Sequence, residues 1–192
     1  MAAAMAVISR DGVGAATTRK IADEAGVPLG TVHYWYKDKS ELLEEVVREM
    51  LRRIERATEE VRLSGDPQMK DALLAAFRQI TEDDLGAQLG IYELTALSIR
   101  TPGMRQLASR QYALYREVAS RVLEPILADH TVGDDKAAAI AELVAVTFDG
   151  MVLAWLADPQ GANPEASFGM LAMLIESWLA SETHRNLSPA VP

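Results

Sequence analysis

The chain has 192 residues, 49% of them hydrophobic and 24% charged, so it is long and apolar enough for one folded domain or two small ones. It contains no cysteine, which excludes disulfide bonds, thiolate metal sites and cysteine nucleophiles. The net charge is −9, but residues 1–53 carry eight basic and eight acidic side chains, so a polyanion would have to bind there through individually placed cations.

The start of the chain, MAAAMAVI, is apolar but has no basic leader and runs directly into Arg10 and Asp11. No uninterrupted apolar stretch approaches the roughly 18 residues that a membrane span requires. We therefore expect these residues to form the first helix of a cytoplasmic protein that has no membrane partner.

Glycines and threonines divide the first 45 residues into three short predicted helices. AAAMAVISRDG is the first, and Gly12 should end it. TTRKIADEAG is the second, with Thr17 or Thr18 as N-cap and Gly26 at its C-terminal end. PLGTVHYWY is the third. Two short helices joined by a tight glycine-containing turn predict a helix-turn-helix.

A longer amphipathic helix is predicted from about residue 39 to about 63, with Asp38 or Ser40 as the N-cap. Charged side chains cover one face of this helix. Apolar residues recur at spacings of three and four on the other face, at Leu42, Leu43, Val46, Val47, Met50, Leu51, Ile54, Ala57 and Val61.

Loop residues predict five further helices, and no strand pattern alternates anywhere in the chain. The helices should cover about 67–82, 85–100, Thr101 to about 128, 134–157 and 164–182, and residues 186–192 should form a disordered tail. The sequence therefore predicts an all-α protein of about nine helices.

The third helix carries four consecutive rings, in the segment HYWY at residues 33–36. Helical spacing in the second and third helices predicts a core made of Ile21, Ala22, Ala25, Val27, Val32 and Tyr36. The outward positions are then Leu29, Gly30, Thr31, His33, Tyr34 and Trp35, beside Lys37 and Lys39. Exposed rings next to cations suit a helix that lies in the major groove of DNA. The alternatives are that Trp35 packs on the first helix and that the threonines only cap a helix.

Residues 1–46 resemble the DNA-binding domain of TetR-family transcriptional regulators. The resemblance rests on GVGAATTRKIADEAGVPLGTVHYWYKDKSELL, with IA in the second helix, AGV at the turn, GT in the third and K-x-x-L opening the fourth. It implies a three-helix DNA-binding domain at 1–46 and a ligand-binding and dimerisation domain at 47–185.

The resemblance also implies a set of DNA contacts. Lys39 should hold a phosphate with help from the N-terminal dipole of the fourth helix, and His33 stands where the family usually has tyrosine. The predicted DNA-binding residues are Thr18, Lys20, Leu29, Gly30, Thr31, His33, Tyr34, Trp35 and Lys39.

The last two helices carry more apolar surface than one chain needs. The helix at 134–157 is apolar nearly all round and should be buried on most sides. The final helix has one stripe of Phe168, Leu171, Ile175 and Trp178 and a second stripe of Met170, Met173, Leu174 and Ser177. We expect a homodimer through a four-helix bundle, as the resemblance implies, with an interface that includes Val152, Met170, Met173, Leu174, Ser177 and Trp178.

The central helices mix rings and a few charges with apolar residues, which suits a cavity for a mainly apolar or aromatic small molecule. The best polar candidates are Arg78, Glu93 and Arg116. The predicted pocket residues are Phe77, Tyr92, Glu93, Tyr112, Tyr115, Arg116, Phe148, Met151 and Trp155.

No catalytic or cofactor motif accompanies these features. The three histidines, at 33, 130 and 184, lack carboxylates at metal-ligand spacing, and no phosphate loop or Ser-His-Asp arrangement occurs. We therefore expect no enzyme, metal or cofactor. The predicted function is a ligand-responsive repressor that binds a palindromic double-stranded operator as a homodimer and leaves it when a small effector binds. A helical small-molecule-binding protein without DNA binding is the alternative, and an all-α enzyme is a third.

Overall fold

The computed structural model describes residues 1–63, 68–82, 85–128 and 130–187. These residues form nine α-helices and no strand. The helices are α1 (Ala2–Ala15), α2 (Thr18–Ala25), α3 (Leu29–Trp35), α4 (Lys39–Leu63), α5 (Met69–Glu82), α6 (Leu85–Arg100), α7 (Arg105–Ala128), α8 (Asp134–Ala157) and α9 (Pro164–Leu187). The all-α prediction is confirmed.

Helix α2 has the two ends that its sequence predicts. The Thr17 side chain accepts a hydrogen bond from the backbone N–H of Lys20 at 3.2 Å, so Thr17 is the N-cap and Thr18 is the first helical residue. Gly26 has φ 65° and ψ 30°, the left-handed conformation that ends a helix, and its N–H donates to the carbonyls of Ala22 and Asp23. This turn directs the chain into α3.

Helix α1 does not stop at Gly12, as the sequence predicted. Gly12 has φ 78° and ψ 165°, which no helical residue adopts, and a further helical turn follows it to Ala15. Gly12 is therefore a kink inside α1, because glycine alone reaches this conformation without a steric penalty.

Helix α4 is capped by Asp38, whose carboxylate accepts the N–H of Glu41 at 3.0 Å. The Glu41 carboxylate in turn accepts the N–H of Lys37 at 2.6 Å. The first bond satisfies an N–H that the first helical turn leaves open, and the second ties Lys37, two residues before the helix, to that turn. The predicted apolar face is buried as far as it is described, at Leu42, Leu43, Val46, Val47 and Met50; its later members lie outside the described side chains.

The chain packs as two compact units, Met1–Ala57 with Ile80–Leu114 and Thr58–Gln79 with Tyr115–Pro192. In the first unit α6 lies against α1 at two glycines. A methyl group on Gly86 would lie 2.1 Å from the carbonyl oxygen of Ser9, and one on Gly90 would lie 2.6 Å from the side chain of Ile8. Glycine thus sets how closely these two helices approach.

Two predicted helix ends differ from the structure. Helix α7 begins at Arg105 and not at Thr101, since residues 101–104 form a turn in which Gly103 has φ 87°. Helix α9 continues to Leu187, past its predicted end at about 182, and so includes residues 186 and 187 of the predicted tail. Residues 188–192 lie outside the described residues.

Helices α8 and α9 of the second unit each have a buried and an exposed apolar face. In α9 the stripe of Phe168, Leu171 and Ile175 is buried, whereas Met170, Met173 and Leu174 are exposed, as the two-stripe pattern predicts. The expectation that α8 is buried on most sides is wrong for the single chain, because its apolar face at Leu143, Val146 and Leu153 is exposed. Among the described helices, α8 alone is long and apolar enough to cross a membrane, a test that core helices of soluble proteins also pass.

Candidate nucleic-acid interface and effector-binding residues

Buried apolar side chains lie on both α2 and α3. Ile21 and Ala22 of α2 and Val32 of α3 are buried, and Tyr36, just after α3, is half-buried against the core cluster that includes Ile21. Burial raises the pKa of the Tyr36 hydroxyl above its ordinary value. Ala25 was predicted to be inward but is exposed, because it lies in the last turn of α2, beside the exposed Gly26.

The outward face of α3 presents its rings to solvent. Tyr34 is 81% exposed and Trp35 is 69% exposed, and their rings meet edge to face with centroids 5.4 Å apart. Thr31 and His33 are also exposed, Gly30 has open space around it, and Leu29 is half-buried. The alternative of Trp35 packed against α1 does not fit this exposure. These side chains form the α3 face, defined here as Thr31, His33, Tyr34 and Trp35.

The cations predicted to contact DNA are engaged within the first unit. Lys20 Nζ lies 3.4 Å from the Asp11 carboxylate, and Arg10 bonds both Asp11 and Glu24. The Arg10 hydrogen bond holds the pKa of Asp11 below its ordinary value. Because these pairs are exposed, each contributes little to stability and its cation can exchange to a phosphate.

Lys39 has a different environment from the other cations. Its ammonium donates to the backbone carbonyls of Val13 at 3.0 Å and Gly14 at 3.3 Å. Lys39 therefore joins the start of α4 to the end of α1, a contact that sequence reasoning did not anticipate. Its positive charge is thus partly shared with the protein's own backbone. Thr18, another predicted DNA contact, is half-buried at the start of α2.

The predicted pocket residues fall in both units. Tyr92, Glu93 and Tyr112 belong to the first unit, and the other six belong to the second. Within the second unit, three predicted rings and Phe168 form a chain of ring contacts. The Phe77 ring lies edge to face with Trp155, at a centroid distance of 6.0 Å, and with Phe168, at 5.9 Å, while Phe148 stacks on Phe168 with centroids 5.7 Å apart. We call Phe77, Phe148, Trp155 and Phe168 the aromatic cluster.

Two of the polar pocket candidates form contacts inside their own unit. Arg116 pairs with Glu142 at 3.3 Å, and both side chains are partly exposed. The Glu93 carboxylate accepts the N–H of Val13 at 2.6 Å. Tyr115, Arg116 and Met151 are half-buried. No group of three His, Asp or Glu side chains among the described residues could hold a metal ion.

The predicted dimer residues differ in how far they are exposed to solvent in the single chain. Met170, Met173, Leu174 and Ser177 are exposed, whereas Val152 is buried within its own chain. Trp178 is half-buried beneath Lys136, whose ammonium lies 5.5 Å from the ring centroid and also pairs with the buried Glu182. The exposed residues on α8, Leu143, Val146 and Leu153, were missed because α8 is apolar on every face and its pattern cannot separate core from surface.

Comparison with known families matches both parts of the chain. The sequence model described as "Bacterial regulatory proteins, tetR family" matches residues 1–46, and the one described as "Tetracyclin repressor-like, C-terminal domain" matches residues 64–177. The chain is 31% identical over 164 residues to the HTH-type nicotine-responsive transcriptional repressor HdnoR of Paenarthrobacter nicotinovorans, covering 82% of this chain and 81% of that one. It is 32% identical over 167 residues to the HTH-type transcriptional regulator BetI of Vibrio campbellii, covering 85% and 81%.

Solved structures share the fold at lower identity. A transcriptional regulator from Pseudomonas aeruginosa PAO1 superposes with a TM-score of 0.73 at 20% identity, covering 96% of this chain and 90% of that one. A transcriptional regulator from Rhodococcus superposes with a TM-score of 0.69 at 24% identity, covering 100% and 96%. At these identities the likeness concerns the arrangement of helices.

Proposed function

Because this chain belongs to the TetR family of bacterial regulatory proteins and is a ligand-responsive, DNA-binding transcriptional repressor, we propose that the α3 face reads its operator. The exposure of Tyr34 and Trp35 carries this proposal. Two large rings in solvent lose the stabilisation that burial would give, so their place on the short helix after the turn needs a partner to cover them. The major groove of DNA admits a helix of this size.

Each side chain of the α3 face has a chemistry suited to the groove. Ring edges and the methyl group of Thr31 suit the methyl group of thymine, and the Tyr34 hydroxyl can donate to a base or a phosphate. His33 can donate to a phosphate in place of the tyrosine that is usual there. Lys20 and Lys39 add the charge that neutralises phosphates. We place the protein in the cytoplasm, where it reaches DNA.

We propose that two copies bind a palindromic operator. Apolar side chains of α8 and α9 stay exposed in one chain, and a second copy would cover them in a four-helix bundle. Two-fold symmetry would then place the two α3 faces on equivalent half-sites, about 34–36 Å apart for adjacent major grooves. The repressor would release DNA when α4 moves and this spacing widens.

We propose a mainly apolar or aromatic effector that meets the aromatic cluster. Phe148 and Trp155 are half-buried, so part of their ring surface is free to contact a ligand. Burying a ligand's apolar surface yields about 25 cal/mol per Å², whereas each unmatched polar group costs about 1–3 kcal/mol. A relative at 31% identity is named as nicotine-responsive, and nicotine is a small molecule with an aromatic pyridine ring. A sugar or a nucleotide fits this chemistry poorly.

The DNA-binding proposal is tested by selecting duplexes from a random pool with the full-length protein and measuring affinity against salt. Tyr34→Ala should lower discrimination between the selected duplex and random DNA. Lys39→Ala should weaken binding to both about equally and reduce the salt slope by about one. Lys37→Ala, at an exposed neighbouring lysine, is the matched control for charge. Selection that enriches no sequence would favour the alternative of a helical ligand-binding protein without an operator.

The effector proposal is tested on a variant that keeps one tryptophan. Replacing Trp35 and Trp178 by phenylalanine leaves Trp155 as the sole reporter. Nicotine and other small aromatic compounds are then titrated against the variant and against the wild-type protein bound to its selected duplex. One compound should quench Trp155 emission and lower DNA affinity over the same concentrations. A screen in which only sugars or nucleotides release DNA would refute the proposal.

A further inference from the structure

Residue Val13 has both of its backbone polar groups held by side chains of opposite charge from two other helices. Its N–H donates to the Glu93 carboxylate of α6 at 2.6 Å. Its carbonyl accepts from the Lys39 ammonium of α4 at 3.0 Å, and the neighbouring carbonyl of Gly14 accepts from the same ammonium at 3.3 Å. Three helices of the first unit thus meet at one residue.

The kink in α1 creates the place for the Glu93 carboxylate. The non-helical conformation of Gly12 turns the N–H of Val13 toward α6. A methyl group on Gly12 would lie 3.2 Å from both carboxylate oxygens, closer than ordinary contact allows. A Cβ at position 12 would therefore have to displace the carboxylate by a few tenths of an ångström, in a backbone conformation (φ 78°) that residues with a side chain rarely adopt.

Both contacts at Val13 are charge-assisted hydrogen bonds. Such bonds are shorter and about twice as strong as those between neutral groups. The Glu93 carboxylate accepts from an N–H and the Lys39 ammonium donates to carbonyls, so each charged group interacts favourably with the peptide dipole next to it. Movement of the Glu93 carboxylate would weaken the restraint on Val13 and so on Lys39.

We propose that Glu93 is a positioning residue that acts through Val13 to hold Lys39 and the first turn of α4, so that operator affinity depends on the hydrogen bond between the Glu93 carboxylate and the N–H of Val13. The inference rests on the proposed DNA-binding function of α3 and Lys39. It gives Glu93 a role other than the predicted ligand contact. It also gives Lys39 two roles, since the same ammonium restrains α1 and is available to a phosphate.

Hydrogen–deuterium exchange of the full-length protein tests the restraint without DNA. Glu93→Ala should speed exchange about 3- to 10-fold, the effect of one lost hydrogen bond, both at residues 13–16 and in the first turn of α4. Glu93→Gln keeps an acceptor oxygen and should recover most of the protection. Glu82→Ala, which removes a carboxylate of the same unit, is the control and should change neither segment. Faster exchange at 13–16 alone would overturn the coupling.

Affinity for the selected duplex tests the consequence for DNA binding. Removing a carboxylate normally strengthens binding to a polyanion, and Glu82→Ala should show this small effect. Glu93→Ala should have the opposite sign and weaken binding about 3- to 10-fold. A Glu93→Ala/Lys39→Ala double variant should bind within about twofold of Lys39→Ala alone, because the shared path is already broken.

The outcomes separate this inference from the proposed function. If Glu93→Ala binds DNA as tightly as Glu82→Ala while Tyr34→Ala loses discrimination, the reading role of α3 stands and the coupling is refuted. If the wild-type protein selects no duplex, the proposed function fails, and the exchange experiment still decides whether Glu93 restrains α4. A urea titration confirms that each variant is folded under the conditions used.

Discussion

Substitution of Leu174 by glutamate should separate the proposed dimer without unfolding its subunits. Leu174 is 58% exposed in the single chain, so the change removes little from the core. Burying the exposed part of a leucine on association contributes about 1 kcal/mol, and a carboxylate in its place costs at least a further 1 kcal/mol or so. Because a two-fold symmetric dimer contains Leu174 twice, each of these losses of association free energy occurs twice. The total of about 4 kcal/mol raises the dissociation constant roughly 1000-fold.

Sedimentation velocity over a range of concentrations measures this effect. The wild-type protein should sediment as a dimer at micromolar concentration and Leu174→Glu as a monomer, with the same helical content by circular dichroism. Gln160→Glu adds the same charge at an exposed loop position outside the apolar faces and should remain a dimer. Leu174 is a cleaner site than Trp178, which packs beneath Lys136 within its own chain. A wild-type monomer, or a dimeric Leu174→Glu variant, would refute the interface.

Three further changes test local contacts in folded protein. Thr17→Ala removes the N-cap of α2 and should lower the free energy of unfolding by about 1 kcal/mol, measured by urea titration, with Thr17→Ser retaining most of it. Lys136→Met takes the ammonium away from the buried Glu182 and should lower the free energy of unfolding by about 1–2 kcal/mol. This loss is smaller than for a fully buried pair because the lysine is half-exposed. Adding Glu182→Gln should recover part of the lost stability. The pKa of Asp11 is lowered in the folded state, so its ionised carboxylate stabilises the fold at pH values above the ordinary pKa of 3.8, and this stabilisation is lost as the pH falls through the folded-state pKa. Asp11→Asn should therefore flatten the pH dependence of the urea midpoint in that acidic window alone.

Sequence reasoning worked best where one residue decides the backbone. Thr17, Gly26 and Asp38 each mark a helix end through their own side chain or their own φ angle, and the structure places those ends where the sequence predicts. The burial of Val32 and the exposure of Tyr34 followed from helical spacing, because a short helix with one buried contact leaves the rest of its surface to solvent.

The failures have a common physical cause in tertiary contacts. Gly12 was expected to end α1, but the helix continues past it at Val13, whose N–H donates to the Glu93 carboxylate 80 residues further along the chain. Lys39 was predicted to hold a phosphate, which stays a prediction, and its bond to the Val13 carbonyl could not be predicted from local spacing. The two faces of α8 could not be separated because both are apolar.

The close approach of α6 to α1 has a consequence for how the chain tolerates mutation. In most exposed helix interiors, replacing glycine by alanine gains about 0.5–1 kcal/mol. At Gly86 a methyl group would meet the Ser9 carbonyl at 2.1 Å, a distance that only separation of the two helices could relieve, so the sign reverses. In a library of single substitutions scored for repression, position 86 should therefore be among the least permissive in the chain, although its residue has no side chain and touches neither DNA nor effector in the proposed roles.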